Sequence, residues 1–163
     1  MKHPSTKSLK VAVIAAAVIV SSVASTALSH HSFAMYDTTK TVSFTGVLIR
    51  YVSQANHAEM HFVPLGPDAR PTKGPDGKYV EWGVEMAGAA AMAAQGISVT
   101  TFPVGTIFSV KLHPLRDGKN FGTIEGPVYK CPKDTPPAPG KHCDSVSGAT
   151  QLGRGDFNAN TTR

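Results

Sequence analysis

The sequence predicts a mainly β fold: a small five-stranded OB-like barrel or strongly bent sheet, with one short helix between strands 3 and 4. Three observations predict it. Charged residues are only 17% of the 163-residue chain, while Gly and Pro number 15 and 12, a balance that favours a loop-rich β domain over a helical bundle. Several short stretches are rich in β-branched and aromatic residues and part-alternate between apolar and polar positions. One alanine-rich stretch falls after the third of them, which gives the strand, strand, strand, helix, strand, strand order of an OB-like barrel.

The chain opens on a predicted signal peptide, residues 1–29. Lys2, Lys7 and Lys10 form a positive start, residues 11–20 are an apolar run, and Ala27 and Ser29 are small residues three and one before a cut after Ser29. The run is short for a membrane span, and Ser21, Ser22, Ser25 and Thr26 dilute it. A cut after Ala27, with Ser25 as the other small residue, also fits and would leave Leu28 first. Cleavage near Ser29 predicts a periplasmic or secreted protein with no stable membrane span, whose mature part still suffices for one core.

The strands follow in order. Residues 41–52 form the first, with Gly46 as a bulge or sharp bend that a closing barrel needs. Gln54, Ala55 and Asn56 make a turn. In residues 57–63 the alternation puts His57, Glu59 and His61 on one face and Ala58, Met60 and Phe62 on the other. Residues 64–78, rich in Pro and Gly, predict a long exposed hairpin connection. Strand three, residues 79–86, turns Val80, Trp82, Val84 and Met86 inward and Glu81 and Glu85 outward. Residues 87–95 predict the helix, stopped by Gly96. Strand four is residues 106–113, and strand five is residues 121–129. The barrel domain is thus residues 30–130. Residues 131–163, rich in Pro, Gly, Asn and Thr, predict a disulfide-pinned loop and a flexible tail.

Cys131 and Cys143 are the only cysteines. In an exported chain such a pair predicts a disulfide; a thiolate metal site with His142 is the weaker alternative, since the compartment is oxidising and there is one pair of thiols.

Charge excludes one class of partner. Three of the basic residues lie in the leader, the remainder form no basic run, and aromatic residues do not interleave with them, so no nucleic-acid footprint is present. Enzyme chemistry is weakly indicated. The sequence has no Gly-x-Ser-x-Gly elbow, no His-Glu-x-x-His and no phosphate-cradling loop. Glu59 and Glu85 would form a carboxylate pair only if folding brought them together.

The histidines carry the sharper expectation. After cleavage at Ser29, His30 bears a free α-amino group beside its imidazole, and His31 follows. Amine and imidazole nitrogens in a flat set suit copper(II). His57 and His61 lie about 13 Å apart along a strand at roughly 3.3 Å per residue, so one of them, His57 beside the turn, is the natural further ligand. His113, at the end of strand four before Pro114, is the next candidate. Against this set stand plainer roles: His30 and His31 as frayed terminal residues, His61 as a solvated strand residue, His113 bonded to a backbone carbonyl at a turn. Trp82 is expected in the core, with a ligand platform at a barrel mouth as its functional alternative.

Several motifs resemble those of a family of small exported bacterial proteins classed as a domain of unknown function. They are His30-His31-Ser32-Phe33-Ala34, Gly46-Val47, Asn56-His57, Glu81-Trp82, Glu85-Met86, Gln95-Gly96 and His113-Pro114-Leu115-Arg116-Asp117-Gly118. The resemblance runs from about His30 to Val128 and implies an exported small β-barrel; it implies no activity. Where the family typically has Asn-Pro-His, Asn56 here meets His57 directly. The expectation is therefore a periplasmic binding protein that takes copper or a similar metal through His30, His31, His57 and His113. The alternatives are a non-metal OB-like module for a small ligand, glycan or protein partner, or a self-assembling structural protein that pairs through an exposed sheet edge.

Overall fold

The computed structural model describes residues 33–155. The expected signal peptide, His30, His31 and residues 156–163 lie outside the described residues. The chain divides into two units, residues 1–35 and 36–163. Of the first, the described part is a 3-10 turn at Phe33–Met35. The second unit holds the fold.

Its strands are β1 (Val42–Val52), β2 (Glu59–Pro64), β3 (Trp82–Glu85), β4 (Ile107–Pro114), β5 (Phe121–Ile124), β6 (Val128–Lys130) and β7 (Thr150–Leu152), with the helix α1 (Ala89–Ala94) between β3 and β4. The pairing order β1-β2-β3-β5-β4 returns from β4 to β1, which closes a five-stranded barrel. Every pair in the ring is antiparallel except β3 with β5. The predicted element order and the closed OB-like barrel are what the chain forms.

β1 makes the closure possible because it serves two neighbours. Its first half pairs with β4 and its second half with β2, and Gly46 to Val47 belong to both ladders. Gly46 is the pivot for a steric reason: a Cβ there would lie 2.5 Å from the Phe62 ring and 2.9 Å from the Val63 carbonyl oxygen. The register shift expected at Gly46 falls instead between Leu48 and Arg50, where Ile49 is left out of the β1–β2 pairing.

Alternation then fills the interior. Leu48, Met60, Phe62, Val84, Phe108, Val110 and Leu112 point inward and are fully buried. Each such side chain contributes about 1.5–3 kcal/mol by leaving water. Met92 of α1, with Ile97 and Phe102 beyond it, closes one side of this core. The helix ends before Gly96, whose φ of 83° suits the predicted stop.

Three predicted elements differ from the structure. Strand three is shorter than expected and begins at Trp82. Predicted strand five is broken into β5 and β6, because Gly126 takes φ 75° and Pro127 follows it. The expected C-terminal loop is pinned, as predicted, by the Cys131–Cys143 disulfide. It is more ordered than its composition suggested: residues 150–152 form β7, which pairs with β6 and extends the sheet beyond the barrel.

Candidate functional site

Along β2 and β3, alternation turns Met60, Phe62 and Val84 into the core and Glu59, His61 and Glu85 onto the outer face. The register sets Glu59 directly opposite Glu85, and His61 opposite Gly83. The carboxylate pairing that sequence alone could not argue is therefore a product of strand register. Two carboxylates facing each other across a ladder repel unless other groups take up their charge.

Each has such groups. Glu85 Oε1 lies 3.2 Å from His57 Nδ1, and its Oε2 accepts a 3.0 Å hydrogen bond from the Tyr36 hydroxyl. Glu59 Oε2 lies 2.8 Å from His61 Nε2. The other ring nitrogen, Nδ1, lies 2.9 Å from Glu81 Oε1, which also takes the Arg50 guanidinium at 3.3 Å. His61 is thus clamped between two carboxylates and its side chain is only 13% exposed, unlike the solvated residue expected of it. Phe121 shelters it from the other side. That ring lies over Gly83, where a Cβ would come within 2.3 Å of it. Burial of Tyr36, reinforced by its bond to Glu85, holds the phenol well above its ordinary pKa.

The face therefore presents one histidine held in and one held out. His57 has its side chain half exposed. Its Nδ1 sits beside Glu85 Oε1 at ion-pair distance, and among the described residues Nε2 has no partner. A histidine so oriented by a carboxylate is the arrangement that metal-ligating imidazoles use. Tyr36 anchors this relay because the backbone around it is itself held: Tyr36 bridges Leu115, and the Asp37 N–H donates to the Pro114 carbonyl at 2.8 Å. The hydrogen bonds from Thr39, reinforced by Lys40, lower the Asp37 pKa to about 2.

His113 takes the plainer role foreseen for it. Its Nδ1 donates to the Lys40 carbonyl at 2.8 Å, with Glu125 Oε2 at 3.8 Å. The register runs Glu85 to Thr123 to His113, so Thr123 stands between His113 and the His57 relay. His57 and His113 thus have separate neighbours through Nδ1, Glu85 and the Lys40 carbonyl. Among the described residues, no group of three or more His, Cys, Asp or Glu side chains is placed to hold a metal ion. Trp82 is partly buried: the parity of β3 turns it inward with Val84, and its ring lies 4.5 Å from that of Phe44 between centroids, tilted by 45°.

A second polar cluster lies on the far side of β1. Thr45 Oγ1 is 2.6 Å from Ser109 Oγ and 2.8 Å from His142 Nδ1, and Ser109 Oγ accepts the Cys143 N–H at 2.8 Å. No buried side-chain polar atom among the described residues lacks a partner. Cys143 N–H donates to Ser109. With Ser109 donating to Thr45, and Thr45 to an unprotonated Nδ1 of His142, every hydroxyl hydrogen in the chain of bonds has an acceptor. Burial lowers the His142 pKa, consistent with this order, although the nearby Asp144 charge opposes it.

Sequence reasoning did not find Tyr36, Arg50 or the Thr45–Ser109–His142 chain. The one available signal was local: Thr45 and Ser109 are small polar residues set directly beside the apolar Phe44 and Phe108.

The sequence pattern of a family of unknown function (DUF6152) matches residues 16–125. The chain belongs to this family. The DUF6152 match spans the barrel and the outer face of β2 and β3, and it stops before the disulfide loop that carries His142. No curated protein matches the chain. Among the described residues, no helix is long and apolar enough to cross a membrane.

Proposed function

We propose that the protein is an exported periplasmic binding protein that takes copper or a similar metal ion. Its ligands are the amino terminus and imidazole of His30 together with His31 and His57, with His113 as a more distant candidate. Metal handling, not turnover, is its role. The observation that supports this most is the Tyr36–Glu85–His57 relay. It sets a buried phenol and two facing carboxylates beside one half-exposed imidazole whose Nε2 has no partner among the described residues. Tyr36 follows His31 by five residues in the sequence, a length of chain that reaches at most ~18 Å. The four carboxylates Glu59, Glu81, Glu85 and Glu125 on or beside this face also favour a cation over an anionic ligand.

The test uses the mature, exported protein stripped with chelator. It should regain about one copper per chain through the flat nitrogen set that copper(II) favours, and begin at His30 by intact mass. His30→Ala should abolish retention, and Glu85→Gln should weaken it by ~10–100-fold through loss of imidazole orientation. Copper retained equally by the His30 variant would sink the proposal.

A non-metal interaction module is the second reading. It is favoured by the place of the Arg50, His61, Glu81 and Phe121 surface, since OB barrels bind ligands over strands 2 and 3. On that reading a periplasmic partner is captured as well after all four candidate histidines are replaced.

A further inference from the structure

The Pro-rich connection between β2 and β3 and the disulfide loop flank the first half of β1. Between them, over β1, lies a cleft of about 260 Å³. Its floor is Ser43 to Thr45; one wall is Leu65 with Pro67 and Ala69, the other Pro137 with Ala138 and residues 140–142. We propose that this cleft binds a small organic carboxylate with a short apolar body, such as an aromatic or branched aliphatic acid.

Three features select that chemistry. The walls are aliphatic, so the body of the ligand is apolar. The charged side chain lining the cleft is Lys141, which makes no ion pair among the described residues, and no acidic side chain lines the space. Asp68, on the same turn as Ala69, accepts the Arg70 backbone N–H. At the floor, the Ser43 hydroxyl has no hydrogen-bond partner among the described residues, which leaves a second donor for a carboxylate oxygen. The hydroxyl of Thr45 is already bonded to Ser109 and His142. The volume lies just below the roughly 300 Å³ at which clefts begin to take drug-sized ligands, so the acid is small.

Seven of the twelve residues lining this cleft lie in the part of the chain that the family pattern matches and five lie beyond residue 125. The disulfide and the Ser109–Cys143 bond hold the second group in place. The site is thus one that the matched part of the chain does not build by itself. It shares no residue with the proposed metal site.

Benzoate, with benzamide as its uncharged counterpart, is a suitable probe. The experiment is an amide NMR titration of metal-free mature protein carrying His30→Ala, at constant ionic strength. Benzoate should shift the Gly66, Ala69, Gly140 and Lys141 amides saturably, and benzamide should bind at least about tenfold more weakly, the difference a charge-assisted hydrogen bond makes. Lys141→Gln, on an exposed side chain, should bring benzoate down to the level of benzamide. Equal binding of the two probes, benzoate affinity unchanged in Lys141→Gln, shifts centred elsewhere, or no saturation up to about 0.1 M would overturn the proposal. Because the variant lacks His30, none of these outcomes depends on the metal reading.

Discussion

Thr45 Oγ1 and His142 Nδ1 lie 2.8 Å apart across 97 residues of chain, and through them the C-terminal loop is fastened to the barrel. Burial lowers the His142 pKa in the folded state, which favours the unprotonated ring that can accept from Thr45. Between that lowered value and the ordinary one near 6.5 the unfolded chain binds more protons than the folded one, so stability rises with pH there. His142 thus contributes stability that is complete above about pH 6.5 and is lost as pH falls toward the folded value. Urea unfolding at stepped pH should show the midpoint falling below about pH 6.5, and His142→Gln should flatten that slope. Thr45→Val should cost about 1–3 kcal/mol at neutral pH, because the buried Ser109 hydroxyl then lacks its acceptor. A pH profile identical in wild type and His142→Gln would refute this assignment of the hydrogens.

The second prediction concerns Gly83. Its missing side chain is what lets Phe121 lie across β3 and cover His61: an added Cβ would sit 2.3 and 2.6 Å from two ring carbons. Gly83→Ala should therefore cost about 1–3 kcal/mol from overpacking. The cause can be separated from a general strand effect. In a Phe121→Ala background the obstacle is gone, and the same substitution should cost well under half as much in a double-mutant cycle. An undiminished cost would place the strain elsewhere.

The barrel was legible in the sequence because its signals are local. Alternation around Met60, Phe62, Val84 and Val110 marks the strands, and the alanine run before Gly96 marks the helix. Strand ends were less legible, since the break at Gly126 and Pro127 lies within a run that otherwise keeps its β character. The site was only partly legible. That Glu59 faces Glu85 follows from the register of β2 on β3, and register depends on the whole barrel. The roles of His61 and His113 likewise depend on partners 20 and 73 residues away, Glu81 and Lys40. β7 was hidden for a different reason: its residues have little β character, and pairing with β6 alone makes them a strand.

The last prediction tests how the disulfide loop is held. Cys131 and Cys143, 12 residues apart, close a small loop whose removal costs roughly 3 kcal/mol on the chain-entropy view. The five strands of the barrel close without any residue beyond Ile124, so the doubly substituted Cys131→Ser and Cys143→Ser chain should keep its β-sheet circular dichroism while its urea midpoint falls. The disulfide and the hydroxyl chain act on one joint, because the Cys143 N–H is itself the donor to Ser109. Their losses should therefore not add. Once the loop is free, Thr45→Val no longer strands a buried hydroxyl, and its cost should fall to within ~0.5 kcal/mol of zero. Full additivity of the two changes would mean that the loop stays docked without its disulfide, held by the strand pairing of β6 and β7 and not by the Ser109–Cys143 contact.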